Sequence, residues 1–140
     1  MTKEHTILLA DDSTVIQRVG GQILSRKGFN VVLASDGQKA MKIFNQDISL
    51  VVLDYHMPIL DGLQVIHKIR SSLYKSEADI PILILSSEED QKEISKLLNA
   101  GANDYIYKGR LKSTPELFLE KVYCLLKDEK EIVRYKKMKL

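Results

Sequence analysis

Five short apolar segments recur along the chain, and stretches with a helical spacing of apolar residues separate them. The segments span residues 6–10, 30–34, 50–53, 82–85 and 104–107. Their nearly continuous apolar character is typical of strands buried on both faces of a parallel sheet, which helices must then cover. Such alternation requires right-handed crossovers and predicts an α/β doubly wound, five-stranded parallel sheet of order 2-1-3-4-5 with five helices, a flavodoxin-like fold.

Capping residues mark where the predicted helices begin and end. Gly28 follows the first helical stretch, Asp36 precedes the second, Asp61 precedes the third and Gly101 follows the fourth. Residues 71–79 lack a helical pattern and are predicted to form a long surface loop.

The composition bounds the class of protein. Of 140 residues, 44% are hydrophobic and 29% charged, and no apolar run approaches the roughly 18–20 residues that cross a bilayer. The polar start lacks the long apolar region of a signal peptide, so we expect a cytoplasmic chain without a membrane span. Cys124 is the single cysteine, which excludes an intramolecular disulfide, and its helical context predicts a buried, inert thiol.

Basic residues are concentrated in the last stretch, residues 127–140, and the rest of the chain is close to neutral. No helix-turn-helix pattern or aromatic RNA-binding platform accompanies them, so we expect no direct nucleic-acid binding.

Polar residues follow four of the five predicted strands directly. Asp11 and Asp12 follow the first, Asp54 the third, Ser86 and its neighbour Ser87 the fourth, and Lys108 the fifth. The carboxyl ends of parallel strands share one edge of the sheet, where this architecture binds its ligands. These side chains are therefore expected to meet.

Three carboxylates at one edge repel each other, and a divalent cation resolves the repulsion. All-oxygen ligation by two carboxylates, a carbonyl and water molecules suits Mg²⁺, which also shields an incoming phosphoryl group. A carboxylate such as Asp54 can then attack phosphorus, while Lys108 supplies a positive charge and Ser86 a hydroxyl donor. An adjacent Asp12 or Ser13 could equally serve only as the cap of the next helix.

Two motifs resemble the receiver domain (the CheY-like domain) of response regulators and hybrid histidine kinases. ILLADDS at residues 7–13 is similar to the family's first strand with its acidic pair, and LDYHMPILDG at residues 53–62 is similar to its phosphorylation segment. Residues 81–87 and 104–108 resemble its fourth and fifth strands. The resemblance implies a two-component phosphorelay protein rather than a turnover enzyme, with a histidine kinase or phosphotransfer protein as partner.

The resemblance also implies residue roles at the metal site. Asp54 matches the phosphoacceptor, and Asp12, Asp54 and the main-chain carbonyl of His56 match the Mg²⁺ ligands. Asp11 is expected to act on the metal directly or through a water molecule.

A second group of residues matches the switching apparatus of the family. Ser86 corresponds to the switching hydroxyl, Lys108 to the phosphoryl-binding lysine and Tyr105 to the aromatic that moves inward. The face expected to change is formed by the fourth helix, fifth strand and fifth helix.

The sequence departs from the family at two places. Gly109 follows Lys108 where proline with a cis bond is usual, and we expect a trans bond here because cis without proline costs about 2.5–4 kcal/mol. Ser87 stands where a small residue is frequent, and His56 and Glu88 occupy positions that tune dephosphorylation in the family.

Three alternatives remain open at this stage. A Mg²⁺-dependent phosphatase would carry a second Asp two residues after its nucleophile, where this chain has His56, and would need a cap domain. A flavin-binding carrier would have a first loop rich in Ser, Thr or Gly, whereas Asp11 and Asp12 would repel its phosphate. A degenerate receiver would only dock partners.

The predicted receiver domain spans residues 1–128. Residues 129–140 contain no Gly or Pro, and Leu119, Leu126, Val133 and Leu140 recur every seven residues. This spacing predicts a helical extension toward an output domain or a weak homodimer, with a frayed basic tail as the alternative.

Overall fold

A computed structural model of the chain describes residues 5–87, residues 90–128 and Ile132. Its sheet has five parallel strands in the order β2-β1-β3-β4-β5, which confirms the predicted fold class and strand order. The strands are β1 Thr6–Ala10, β2 Asn30–Ala34, β3 Ile48–Asp54, β4 Ile82–Ser86 and β5 Asp104–Tyr107.

Helices connect the strands, and their number corrects the prediction of five. The described ranges contain seven: α1 Thr14–Ser25, α2 Gly37–Ile43, α3 Gly62–Arg70, α4 Lys75–Ala78, α5 Gln91–Ala100, α6 Arg110–Ser113 and α7 Pro115–Leu125. The two additional ones, α4 and α6, have four residues each. One helical turn is too short to show an apolar period, and for that reason residues 71–79 were predicted to be loop throughout.

The sheet separates two hydrophobic cores, because successive side chains of a strand point to opposite faces. In β1, Leu8 and Ala10 pack with α2, α3 and α5, whereas Ile7 and Leu9 pack with α1 and α7. All four side chains are fully buried. This two-sided burial explains why the strands lack alternating polar residues.

Side-chain caps fix the first turns of three helices that begin at the carboxyl edge of the sheet. Ser13, rather than Asp12, caps α1 by accepting a hydrogen bond from the Ile16 N–H at 3.3 Å. Asp36 caps α2, and Asp61 caps α3 in a reciprocal capping box with Gln64.

Close backbone contact sets the start of α3 against the end of β3. A Cβ atom at Gly62 would lie 2.7 Å from the Asp54 carbonyl oxygen, closer than any side chain permits. The loop between Asp54 and Gly62 is consequently held tightly over the carboxyl end of β3.

The predicted burial of Cys124 is wrong, because its side chain is exposed. Helix α7 buries Phe118, Leu119, Val122 and Tyr123 against the second core, and Cys124 follows them on the solvent side. The predicted extension at residues 129–140 lies outside the described residues, except for Ile132, which packs against this core. Within the described ranges, no helix has both the length and the apolar content that a bilayer crossing requires.

Candidate functional site

Four predicted site residues meet at the carboxyl edge of the central strands. Asp54 is the last residue of β3 and Ser86 the last of β4, while Asp11 and Lys108 directly follow β1 and β5. The main chain ties these ends together, since the Asp11 N–H donates to the Ala34 carbonyl at 3.0 Å and the Lys108 N–H to the Ser86 carbonyl at 2.9 Å. The sheet register therefore fixes the side chains relative to one another.

Three carboxylates form the centre of the site. Asp11, Asp12 and Asp54 each offer an oxygen, and the three oxygens lie within 4.8 Å of one another. Asp11 and Asp54 are 0% and 2% exposed, whereas Asp12 faces solvent. Asp11 is held in place because its Oδ1 accepts the Ser13 N–H at 2.8 Å. The cluster thus has a rigid buried floor and an exposed rim.

Lys108 neutralises part of this negative charge. Its Nζ lies 3.0 Å from Asp11 Oδ2 and 3.1 Å from Asp54 Oδ2. Burial alone would lower the pKa of Lys108, but the contacts with Asp11 and Asp54 outweigh it and raise that pKa above its usual value. The ammonium group is therefore a permanent positive charge beside both carboxylates.

Asp54 has a strongly perturbed carboxyl group. Burial raises its pKa from 3.8 to about 7, and the negative charge of Asp11 adds to the rise, although Lys108 opposes it. One lysine is thus insufficient to balance the two buried carboxylates, which favours an additional cation.

The oxygen atoms of the cluster fit a divalent ion. Within the described part of the chain, Asp11 Oδ2 and Asp54 Oδ2 are buried and accept no well-aligned hydrogen bond. Buried oxygens normally have such partners, and an oxygen-only ligand set is the one that Mg²⁺ prefers. Asp11, Asp12 and Asp54 would hold the ion.

Ser86 contributes a buried hydroxyl group to the site. Its side chain is fully buried, and its Oγ makes no hydrogen bond to the described residues. A cavity of about 410 Å³ lies beside it, lined by Ser86, Ser87, Tyr107, Lys108, Gly109, Arg110 and Ser113. This hydroxyl is free to donate to a group placed above Asp54.

The backbone of His56 contacts the acidic cluster, whereas its side chain points away from the cluster to Asp90. Its N–H donates to Asp54 Oδ1 at 3.3 Å, and its Nε2 lies 2.8 Å from Asp90 Oδ1. The hydrogen bond with Asp90 raises the pKa of His56. Burial would raise the pKa of Asp90, but the hydrogen bonds from His56 and Ser87 outweigh it, and the net shift is downward.

A comparison with known families decides the family of this chain. The model of the family described as "Response regulator receiver domain" matches residues 7–117 of this chain. The chain belongs to the receiver domain family of response regulators.

Curated relatives of this receiver domain differ in length. It is 33% identical over 123 residues to a chemotaxis protein CheY homolog of Campylobacter jejuni subsp. jejuni serotype O:23/36 (strain 81-176), covering 86% of this chain and 91% of that protein. It is 37% identical over 107 residues to the "Probable transcriptional regulator ycf27" of Cyanidium caldarium. That match covers 76% of this chain but only 41% of the relative.

Solved structures show the same fold. A response regulator receiver domain protein (CheY-like) from Methanospirillum hungatei JF-1 superposes with a TM-score of 0.77 at 26% identity, covering 92% of this chain and 98% of the other. A putative response regulator from Chloroflexus aurantiacus J-10-fl gives a TM-score of 0.79 at 26% identity, covering 89% and 98%.

Tyr105, the predicted switch aromatic of the receiver domain, lies within β5 rather than at the carboxyl edge of the sheet. Tyr105 pairs with Ile84 in the sheet and is half-buried, with its ring edge-on to Tyr107 at 5.7 Å between centroids. Lys121 Nζ lies 5.8 Å from the centre of the Tyr105 ring. Glu88 lies outside the described residues, and the role of the His56 carbonyl as a metal ligand stays a prediction.

The loop after Lys108 accommodates the missing proline without distortion. The described part of the chain contains no cis peptide bond, so the Lys108–Gly109 bond is trans, as predicted. Gly109 adopts a φ of −58° and is the N-cap residue of the short helix α6. The aim of Lys108 at both buried carboxylates therefore does not depend on proline.

Asp90 is the site residue that the sequence interpretation missed. It is 8% exposed and accepts hydrogen bonds from two loops. It lies in an acidic run before a helix, where a solvated cap is the ordinary expectation, and the sequence carries no signal that pairs it with His56.

Proposed function

We propose that this receiver domain accepts a phosphoryl group on Asp54 from the phosphohistidine of a histidine kinase or phosphotransfer protein, in a Mg²⁺-dependent reaction. The observation that carries the proposal is the burial of Asp54 beside the oxygens of Asp11 and Asp12 and 3.1 Å from Lys108. A carboxylate in that setting is oriented and charge-compensated for attack on phosphorus.

In the proposed transfer, a carboxylate oxygen of Asp54 attacks the phosphorus of phosphohistidine. The P–O bond forms as the P–N bond breaks, and the electron pair returns to the donor imidazole, which leaves an acyl phosphate on Asp54. Lys108 binds one phosphoryl oxygen through its ammonium group. Asp11, Asp12, Asp54 and the His56 carbonyl would hold Mg²⁺, which when bound would supply Lewis-acid stabilisation of the phosphoryl oxygens.

The proposed response begins at Ser86. Its hydroxyl turns toward the phosphoryl group, and this movement allows the half-buried Tyr105 to turn inward. The affected surface consists of α5, β5 and α7, which includes an ion pair between Lys121 Nζ and Asp104 Oδ2 at 2.9 Å. The protein is thereby a phosphoacceptor with slow autodephosphorylation rather than a turnover enzyme.

The lengths of the curated relatives bear on the output partner of the proposed switch. A relative that is named a transcriptional regulator extends well beyond the matched region, whereas the chemotaxis relative does not. We infer an output domain, fused or separate, as the receiver of the signal, with weak pairing of two copies as a second route.

Incubation with acetyl phosphate and Mg²⁺, followed by intact mass spectrometry, tests the proposal. We expect a mass gain of one phosphoryl group, which EDTA and the Asp54→Asn variant both abolish, because an amide is neither a competent nucleophile nor a charged ligand. Asp47→Asn, a substitution of an exposed carboxylate, is the matched control and should label fully. Unchanged labelling of Asp54→Asn contradicts the assignment.

A further inference from the structure

One buried carboxylate connects two loops at the edge of the site. Asp90 Oδ1 lies 2.8 Å from His56 Nε2. Its other oxygen, Oδ2, accepts the Ser87 hydroxyl at 2.9 Å and the Ser87 N–H at 3.3 Å. These three contacts are called the Asp90 clasp below.

Each loop held by the clasp carries a different part of the site. His56 lies in the loop after β3, and its N–H donates to Asp54 Oδ1 at 3.3 Å. Ser87 directly follows Ser86, whose buried hydroxyl has no hydrogen-bond partner among the described residues. The clasp therefore joins the segment next to the acidic cluster to the segment that carries the free hydroxyl.

The burial of the two ends of the clasp is unequal. The Asp90 side chain is 11% exposed and the His56 side chain 68% exposed. Solvent screens a pair with one exposed end, so the contribution of this contact is weak. The imidazole is nevertheless restrained on two sides, because it also stacks on Tyr55 with 4.5 Å between ring centroids and 21° between planes.

We propose that Asp90 is a positioning residue that orients the His56 backbone for Mg²⁺ binding and couples the loop after β3 to Ser87. This proposal rests on the proposed Mg²⁺ site of Asp11, Asp12 and Asp54. The clasp fixes the His56 side chain, which limits rotation of the peptide that carries the candidate metal-binding carbonyl. Through Ser87, the same carboxylate transmits any displacement of that loop to the end of β4.

The test measures Mg²⁺ affinity in the full chain by NMR titration of backbone amides with MgCl₂. The variants are His56→Leu, Asp90→Ala and the double variant. A charge effect without the clasp predicts weaker Mg²⁺ binding in Asp90→Ala but not in His56→Leu, because loss of a carboxylate weakens cation binding and loss of a histidine does not. The clasp predicts that both single variants weaken Mg²⁺ binding about threefold, as loss of a contact of this strength implies.

Non-additivity and rescue complete the test. The double variant should bind Mg²⁺ no more weakly than either single variant, because each removes the same contact. His56→Gln keeps a side-chain N–H donor and should bind Mg²⁺ nearly as the wild type does. The Mg²⁺-induced shift of the Ser87 amide should decrease in His56→Leu and Asp90→Ala but persist in His56→Gln.

The outcomes separate the two proposals. Weaker Mg²⁺ binding in Asp90→Ala but not in His56→Leu, additive losses, or Mg²⁺ binding equal to the wild type in both variants overturn the clasp alone. Failure of the wild type to bind Mg²⁺ overturns the clasp and the proposed metal site together. Equal melting temperatures of the variants establish that a change in Mg²⁺ affinity does not come from partial unfolding.

Discussion

The Lys108 ammonium lies 3.1 Å from Asp54 Oδ2 and opposes the effect of burial on this carboxyl group. Removing the positive charge in Lys108→Ala should therefore raise the pKa of Asp54 above its value of about 7. ¹³C NMR titration of the aspartate carboxyl groups measures the change. The matched control is Lys121→Ala, because Lys121 pairs with Asp104 rather than with Asp54. In this control variant Asp54 should titrate as it does in the wild type.

Lys108→Ala should also weaken the response of the α5–β5–α7 surface to phosphorylation while the fold remains intact. The variant loses the charge contact between the lysine and the phosphoryl group. Phosphorylation therefore stabilises the switched state less than it does in the wild type. Amide shifts around Tyr105 before and after treatment with acetyl phosphate and Mg²⁺ measure the response. Shifts of wild-type size in a fully phosphorylated variant would contradict this role.

Stability should depend on pH through Asp54. Its pKa is 3.8 when unfolded and about 7 when folded, so the folded state binds more protons between these values. The free energy of unfolding contributed by this group is therefore highest below pH about 4, falls as the pH rises toward 7 and then stays level.

Asp54→Asn isolates this contribution, because an amide does not titrate. Below pH about 4 the variant and the wild type should be similarly stable, and near pH 7 the variant should be more stable by up to a few kcal/mol. Urea denaturation at a series of pH values, without divalent ions, provides the comparison. Added Mg²⁺ should stabilise the wild type at pH 7 and leave the variant nearly unchanged.

Two glycines provide a matched pair for packing. A Cβ atom at Gly37 would lie 2.1 Å from the Leu60 carbonyl oxygen and 2.6 Å from Leu60 Cβ, whereas one at Gly109 would meet nothing within 4 Å. Gly37→Ala should lower the free energy of unfolding by about 1–3 kcal/mol through overpacking. Gly109→Ala should be neutral or slightly stabilising, and equal urea midpoints for the two variants would refute the packing difference.

Ile59 stores backbone strain in the loop after Asp54. Its φ is +73° and its side chain is 66% exposed, so a β-branched residue occupies the left-handed region with little burial in return. Ile59→Asn should raise the free energy of unfolding by about 1 kcal/mol, because Asn tolerates this conformation. Ile59→Val keeps the strain and should not stabilise, as thermal denaturation can check.

The strand ends explain how much of the site the sequence could predict. Asp54, Ser86 and Lys108 stand at the ends of buried apolar runs. The parallel sheet places their side chains at one edge, independently of the conformation of the loops. Asp90 was missed because its place in the site depends on contacts with His56 and Ser87, which no sequence periodicity specifies. The exposure of Cys124 was missed because the apolar spacing of α7 identifies the residues at the centre of its buried face. The spacing does not specify whether the side chain next to that face is buried or exposed.

The fold shows the same division between long and short elements. Continuous apolar runs and capping residues such as Asp36 and Asp61 predicted the five strands and the starts of α2 and α3. The single turns α4 and α6 depend on tertiary packing rather than on a pattern, as shown by Leu111 of α6, which is buried at 1% exposure beneath an otherwise polar turn.

The central claim is that Asp54 carries the phosphoryl group. Labelling with acetyl phosphate and Mg²⁺, followed by borohydride reduction of the acyl phosphate and peptide mass spectrometry, locates the modified residue directly. We predict that reduction converts Asp54 alone to homoserine, with no conversion in samples that contain EDTA. Conversion of Asp11, Asp12 or Asp61 in place of Asp54, or labelling without any reducible acyl phosphate, would contradict it.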